Sequence, residues 1–356
     1  MSTAIENFVL FSTLLALATF ALSYAARRAA KNGFWLPRAS TLTCLYTAAL
    51  AFPPVTSVWL VTAALLPEFW LGRSGFDAAH PAPLHEFHLL SDLTAMLEPT
   101  LAYSTVLFCV GVAFFAACST VRNFLKVGSV IKSLQMNADP PSTEQVALVE
   151  TIARRHGLEV GLVLSNYPFS FVWGFSRSKL VLSSGLLCSL TAEELTGVLE
   201  HEAVHHERRD NLVKLFLSVC SYSSIAFPLS RMILAWRAEQ VEIVCDEAAS
   251  VRTSAPLEIA EALVKLRRQT APVMTYAPTG ASSFVPQDLR SFENRVHRLL
   301  ALADDLEVNG HLASMPQPRI SSLSAVAAFF TASLVSLFLL APLAVHHALE
   351  SLIRLV

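Results

Sequence analysis

The stretch Thr191–Asp210, TAEELTGVLEHEAVHHERRD, decides how the rest of the chain is read. It contains HEAVH, an instance of HExxH with His201, Glu202 and His205. Residues four apart on an α-helix lie on one face, one turn above the other. The spacing therefore lets His201 and His205 point two imidazoles at one metal ion, with Glu202 beside them to hold a water. The flanks predict that helix. Thr191 with Glu194 three residues later reads as a capping box, and Leu195, Val198 and Leu199 supply an apolar side. A polar helix face that merely happens to carry two histidines accounts for none of these features. Arg208 and Asn211 stand where the longer HExxHxxGxxH motif needs glycine and histidine, which excludes the metzincin branch.

Outside this stretch the composition is that of a membrane protein. Of 356 residues, 53% are hydrophobic and only 15% charged, against about 25% charged in soluble domains. A net charge of -2 offers no polyanion-binding surface, so direct nucleic-acid binding is not expected. The six cysteines show no CxxC spacing and read as small apolar residues. Four apolar runs are long enough to cross a bilayer: Phe8–Ala26, Ala39–Leu66 (with Pro53-Pro54 as a kink), Thr100–Val121 and Ile320–Val345. The positive charges follow the first run rather than precede it, so it is a retained span and not a cleaved signal peptide.

Basic residues orient these spans. Arg27, Arg28, Lys31 and Arg38 lie between the first and second runs, and Arg122, Lys126 and Lys132 follow the third. Arg73 is alone in the loop Pro67–Pro99. By the positive-inside rule both termini face outwards and the region after Val121 is cytoplasmic. The organisation expected is a three-span region over 1–121 with an outer loop 67–99, a cytoplasmic domain over 122–319, and a last span with a short outer tail over 320–356. His80, His85 and His88 in the outer loop read as part of a solvated amphipathic segment rather than a second site.

Within the cytoplasmic domain, a helix opened by Ser142 and closed by Gly157 is expected, then strands over Glu159–Ser165 and Lys179–Ser184, with the HExxH helix directly after. Leu215–Trp236 is a mostly apolar run interrupted by Pro228 and Arg231. Beyond it, Glu239, Glu242 and Asp246 share one helix face. A carboxylate there can complete a metal site only from the same side of the membrane as His201, so a single crossing is forbidden. A hairpin broken around Ser224–Pro228, dipping into or lying on the cytoplasmic leaflet, is expected instead. A short helix over Leu257–Gln269, a proline-rich loop Thr270–Pro286, a basic helix Asp288–Ala303 and a polar linker Asp304–Arg319 complete the domain.

Three segments carry a family resemblance: WGFSRSKLVLSSGLLCSLTAEELTGVLEHEAVHHERRDNLVKL (Trp173–Leu215), VEIVCDEAA (Val241–Ala249) and ENRVHRLL (Glu293–Leu300). They resemble the BlaR/MecR-type antirepressor membrane metallopeptidases, relatives of the HtpX-type membrane proteases. Both groups share HExxH and a distal ExxxD, and the HERRDNLVKL and CDEAA sequences favour the BlaR/MecR type. The resemblance implies a mainly α membrane protein: four transmembrane helices plus a cytoplasmic α+β zincin-like (gluzincin) domain with a small sheet and a membrane-associated hairpin. It implies one Zn2+ per chain, held by His201, His205 and Glu242, with Glu202 as catalytic base and Asp246 orienting a ligating histidine. Glu239 is then a solvated neighbour, Asp210 a helix cap, and His206, Arg208 and Arg209 interfacial anchors. The resemblance further implies self-cleavage before the basic helix, where Ser283-Phe284 offers a small residue followed by an aromatic.

The antibiotic-sensing members carry a penicillin-binding sensor after the last span. No such domain follows here, so a separate sensor protein is expected. The function implied is an integral-membrane zinc endopeptidase of the cytoplasmic membrane. Its substrate would be a cytoplasmic protein, a DNA-binding repressor or the chain itself. The alternatives are a non-catalytic signalling scaffold with a structural zinc and an HtpX-type quality-control protease. A scaffold would have no need of Glu202.

Overall fold

A computed structural model describes residues 2–31, 39–65, 111, 114, 115, 118, 122, 140–174, 178–222, 227–269, 289–310 and 312. Two helices, α1 (Ser2–Lys31) and α2 (Ala39–Leu65), cover the first apolar run and all but the last residue of the second, which lies outside the described residues. The helix α2 runs through Pro53 and Pro54. Among the described residues no helix is long and apolar enough to cross a membrane. The outer loop 67–99 and the last run lie outside the described residues, as does the third run apart from a few helical positions.

The remaining elements surround the HExxH stretch. They are α3 (Thr143–Arg155), β1 (Glu159–Val163), β2 (Ser170–Trp173), β3 (Lys179–Ser183), α4 (Ser184–Ser189) and α5 (Ala192–Glu207), then α6 (Asp210–Tyr222), α7 (Phe227–Thr253), α8 (Pro256–Gln269) and α9 (Leu289–Asn309). The described residues are thus mostly helical with one small sheet. Both expected caps form. Ser142 and Gln145 close a reciprocal box at the start of α3, and Thr191 and Glu194 do so at α5. Gly157 ends α3 with φ 67, a backbone that costs glycine least.

The sheet has the order β1-β3-β2, with β1 parallel and β2 antiparallel to the central β3. Three expectations need correction. Between the two strands expected at Glu159–Ser165 and Lys179–Ser184 the structure places a third, β2. The HExxH helix does not follow β3 directly, because α4 intervenes. Burial forces this arrangement: Leu186 and Leu187 of α4 are 0% and 1% exposed, roofing the sheet beside Leu180 and Leu182. At Gly185 a Cβ would lie 2.5 Å from the carbonyl oxygen of Asn166, so only glycine permits this close turn. The last helix also runs to Asn309, through the front of what the sequence suggested was a polar linker.

The core around α5 joins Leu195, Val198 and Leu199, the apolar side read from the sequence, to Val149 and Ile152 of α3 and Ile259 and Leu263 of α8. A second cluster joins α1 and α2 to the α6–α7 pair through Tyr46, Leu50, Leu217 and Ile233. Helix α6 ends at Tyr222 and α7 begins at Phe227, and Ser230 Oγ of α7 donates to the Ser221 carbonyl of α6 at 3.1 Å. The described parts of Leu215–Trp236 are therefore the end of α6 and the start of α7, packed together so that the start of α6 and the acidic part of α7 lie at one end of the pair.

Candidate metal centre

Helix α5 buries the whole of its HExxH turn. His201 and Glu202 are 0% exposed and His205 is 4%. The two Nε2 atoms lie 3.2 Å apart. Helix α7 crosses this turn and brings Glu242, whose Oε2 is 3.5 Å from His201 Nε2 and whose Oε1 is 3.6 Å from His205 Nε2. Ligands about 2.0–2.2 Å from a zinc ion are spaced by roughly 3.3–3.6 Å around a tetrahedron. His201, His205 and Glu242 form such a triplet.

The outer nitrogens explain why the inner ones are available. His201 Nδ1 lies 2.9 Å from Asp246 Oδ1, and His205 Nδ1 donates to Asp210 Oδ2 at 2.9 Å. A carboxylate at Nδ1 holds the proton there and leaves Nε2 as a bare lone pair. Two lone pairs and a carboxylate then converge in a buried volume, an arrangement that repels itself unless a cation lies among them. The donor set fits zinc, with two histidines and one carboxylate leaving a fourth position for water.

The neighbouring charges keep the carboxylates ionised, and at His205 burial is outweighed by Cys245, Glu242 and Asp210, which hold the imidazole proton well above its usual range, a proton that a bound cation would displace. Burial opposes ionisation of Glu242 most strongly, yet His205, His201 and Arg295 together hold its carboxyl well below the usual carboxylate range. Asp246 is likewise lowered against burial, chiefly by Arg295 and His201. Asp210 is pulled down to about 2 against burial by Arg208, His205 and Arg237. Glu202 goes the other way. Burial raises it, against the pull of His201 and His205. Ser170 of β2 donates to Glu202 Oε1 at 2.9 Å, while Oε2 is buried with no hydrogen-bond partner among the described residues. One oxygen is fixed and the other is free to take a proton.

Several neighbours have other places than the sequence suggested. Asp210, expected as a helix cap, is 6% exposed and holds His205. Arg208, expected as an interfacial anchor, donates to Asp210 at 3.2 Å. Glu239, expected as a solvated neighbour, forms a 2.7 Å ion pair with Arg27 of α1 and accepts from Asn294 of α9. Cys245 sits with its Sγ 3.5 Å from His205 Nδ1, packed against the site rather than simply into apolar core. Ser170 and Arg295 were not legible. No periodic signal ties a residue 32 positions before Glu202, or 49 after Asp246, to the motif. Ser283 and Phe284 lie outside the described residues.

A helix with two histidines and a glutamate, met by a second helix carrying a third ligand, is the architecture of a candidate metallopeptidase centre. Residues 142–270 match the sequence model of Peptidase family M48. That span holds α3 to α8, and with them His201, Glu202, His205, Glu242 and Asp246, and it stops before α9. The chain is 32% identical over 144 residues to a Protease HtpX of Legionella pneumophila, covering 37% of this chain and 50% of that one. It is 31% identical over 126 residues to a Protease HtpX homolog of Pyrobaculum calidifontis, covering 34% and 36%. A Protease HtpX homolog of Methanothermobacter thermautotrophicus is 25% identical over 172 residues, covering 40% and 67%. The chain thus spans about a third to a half of the length of the first two.

Proposed function

We propose that this chain is an integral-membrane, zinc-dependent endopeptidase that cleaves a cytoplasmic protein during transmembrane signalling. One observation carries the catalytic reading. The two Nε2 atoms face each other at 3.2 Å with both Nδ1 atoms against carboxylates, and Glu242 closes the triangle. His201, His205 and Glu242 would hold the ion. When bound, zinc would polarise the scissile carbonyl and make the attacking water more acidic. Glu202 takes that water's proton at Oε2 while Ser170 holds Oε1 in place, and then hands the proton to the leaving amine nitrogen. Asp246 and Asp210 keep the two imidazoles oriented throughout. The edge strand β2, which carries Ser170, offers an extended substrate a place to lie against the sheet.

The membrane reading rests on the apolar runs and their basic flanks. A DNA-binding repressor, or the chain itself, is the substrate that the BlaR/MecR-type resemblance favours, with a separate sensor protein as partner. The named relatives favour a second reading of the same chemistry, a general protease of the HtpX type. Purified full-length protein should hold about one zinc per chain. Glu202→Ala should keep the zinc and lose cleavage of a fluorescein-labelled casein, and Glu242→Ala should lose the zinc. Zinc-free wild type after metal reconstitution would remove the proposal. A repressor substrate is tested by co-expressing the repressor encoded nearest to this chain and looking for Glu202-dependent cleavage.

A further inference from the structure

Among the largest fully buried side chains of the described residues is an arginine. Arg295, on α9, is 0% exposed, and arginine is almost never so placed without partners that offset its desolvation. Its Nε donates to Asp246 Oδ2 at 2.6 Å and its Nη2 to Asp246 Oδ1 at 2.7 Å, a two-pronged grip. Its Nη1 donates to Glu242 Oε2 at 3.2 Å. One rigid fork therefore spans the two carboxylates of the ExxxD pair. One of them orients His201 and the other is placed as a ligand. The helix α9 lies beyond the stretch matched by the peptidase family model.

Docking α9 does not require this side chain to enter the site. Leu299 and Leu302 are 0% and 3% exposed, and Arg298 pairs with Glu247 of α7 one turn further along. Nor is simple charge balance a sufficient account. A cation beside a metal site weakens binding of a second cation, so a side chain present only for charge would oppose the metal. What a fork supplies and a point charge does not is direction. With Asp246 gripped at both oxygens, Oδ1 has one place to meet His201 Nδ1. Glu242 Oε2, although 3.5 Å from His201 Nε2, is engaged by Nη1, which leaves Oε1, 3.6 Å from His205 Nε2, as the unencumbered oxygen.

We propose that Arg295 is a positioning residue that sets the ligating geometry of His201 and Glu242 from α9, and in particular limits Glu242 to one metal-binding oxygen. The inference rests on the zinc reading above, and the two fail differently. The test uses full-length protein in detergent, compared as wild type, Arg295→Lys and Arg295→Met. Zinc affinity is read by competition with a chromogenic chelator, and coordination by the visible absorption of the Co2+-loaded protein. Lysine keeps the charge without the fork. We expect both variants to bind zinc about 10- to 100-fold more weakly, and their Co2+ spectra to move from the intense four-coordinate form to the weaker five-coordinate one as Glu242 binds through both oxygens. Wild-type affinity and spectrum in Arg295→Lys would overturn the proposal in favour of charge alone. Tighter zinc binding in Arg295→Met would do the same. If Arg295→Met does not fold, Arg295→Lys decides. Wild type that binds neither ion would instead sink the metal reading itself.

Discussion

At the scale of single residues, the motif HExxH was legible because helical spacing alone dictates that His201 and His205 share a face. Spacing alone put Asp246 on one face with Glu239 and Glu242, and its role beside a ligating histidine came from the family resemblance. Asp210 was misread because an aspartate just past a helix is so often a cap, and only its burial reveals the bond to His205. That bond yields a sharp expectation. In Asp210→Asn the amide can also accept from Nδ1, but it can equally present N–H and favour the tautomer with the proton on Nε2, where the lone pair is needed. Zinc affinity should fall about 10- to 100-fold, measured by chelator competition. Acid stability should change as well. Asp210 lies lower in the folded chain, at about 2, than its ordinary 3.8. Its contribution is therefore complete above about pH 4 and is lost as the pH falls through about 2, amounting to about 2 kcal/mol. Chelated wild type and Asp210→Asn should give denaturation curves whose difference shrinks across that window. A difference independent of pH from 5 to 2 would contradict the assignment.

At the scale of elements, the caps and the two longer strands were readable because each carries a local signal. The strand β2 was not. It is four residues long, follows Pro168, and shows no apolar–polar alternation because three of its residues are buried. Tertiary packing created it. Packing also explains Gly197 in the middle of α5, where glycine ordinarily costs about 1 kcal/mol relative to alanine. A Cβ at Gly197 would lie 2.6 Å from Ile259 Cγ1 of α8, so glycine sets how closely α8 approaches the catalytic helix. Gly197→Ala should destabilise the chain by about 1–2 kcal/mol, overpacking exceeding the propensity gain. In an Ile259→Ala background the sign should reverse, because the obstructing atom is gone. Thermal unfolding of the four proteins in the cycle measures this. Destabilisation of equal size in both backgrounds would show that the cost lies in the helix itself and not in the α5–α8 contact.

At the scale of the whole molecule, the sequence constrained the path of the chain more than its contacts. The helical pair α6–α7 follows from requiring His201 and Glu242 to meet; α6 ends at Tyr222 and α7 begins at Phe227, and most of the stretch where the turn was expected lies outside the described residues. Cysteine-accessibility labelling should place Ser142 and Thr279 on the cytoplasmic side, and His80 and Glu350 outside. Opposite sidedness of Ser142 and Thr279 would remove the shared face on which the centre depends. The same topology bears on self-cleavage. The segment 270–288 joins α8 to α9, and α9 carries Arg295 into the centre, so the segment is tethered at both ends to elements that line or support the site. It holds three prolines, Pro272, Pro278 and Pro286. Such a sequence loses little by adopting the extended form a protease must bind. Ser283-Phe284 supplies a small residue followed by an aromatic. Cleavage between them should release α9 from the rest of the domain and loosen the grip of Arg295 on Glu242, making the cut self-limiting. Membranes expressing wild type should therefore contain a fragment beginning at Phe284 that is absent with Glu202→Ala, and the cut wild type should hold zinc less tightly than intact Glu202→Ala. Persistence of the fragment in Glu202→Ala would assign the cut to another protease, and equal zinc retention would show that α9 stays docked after it.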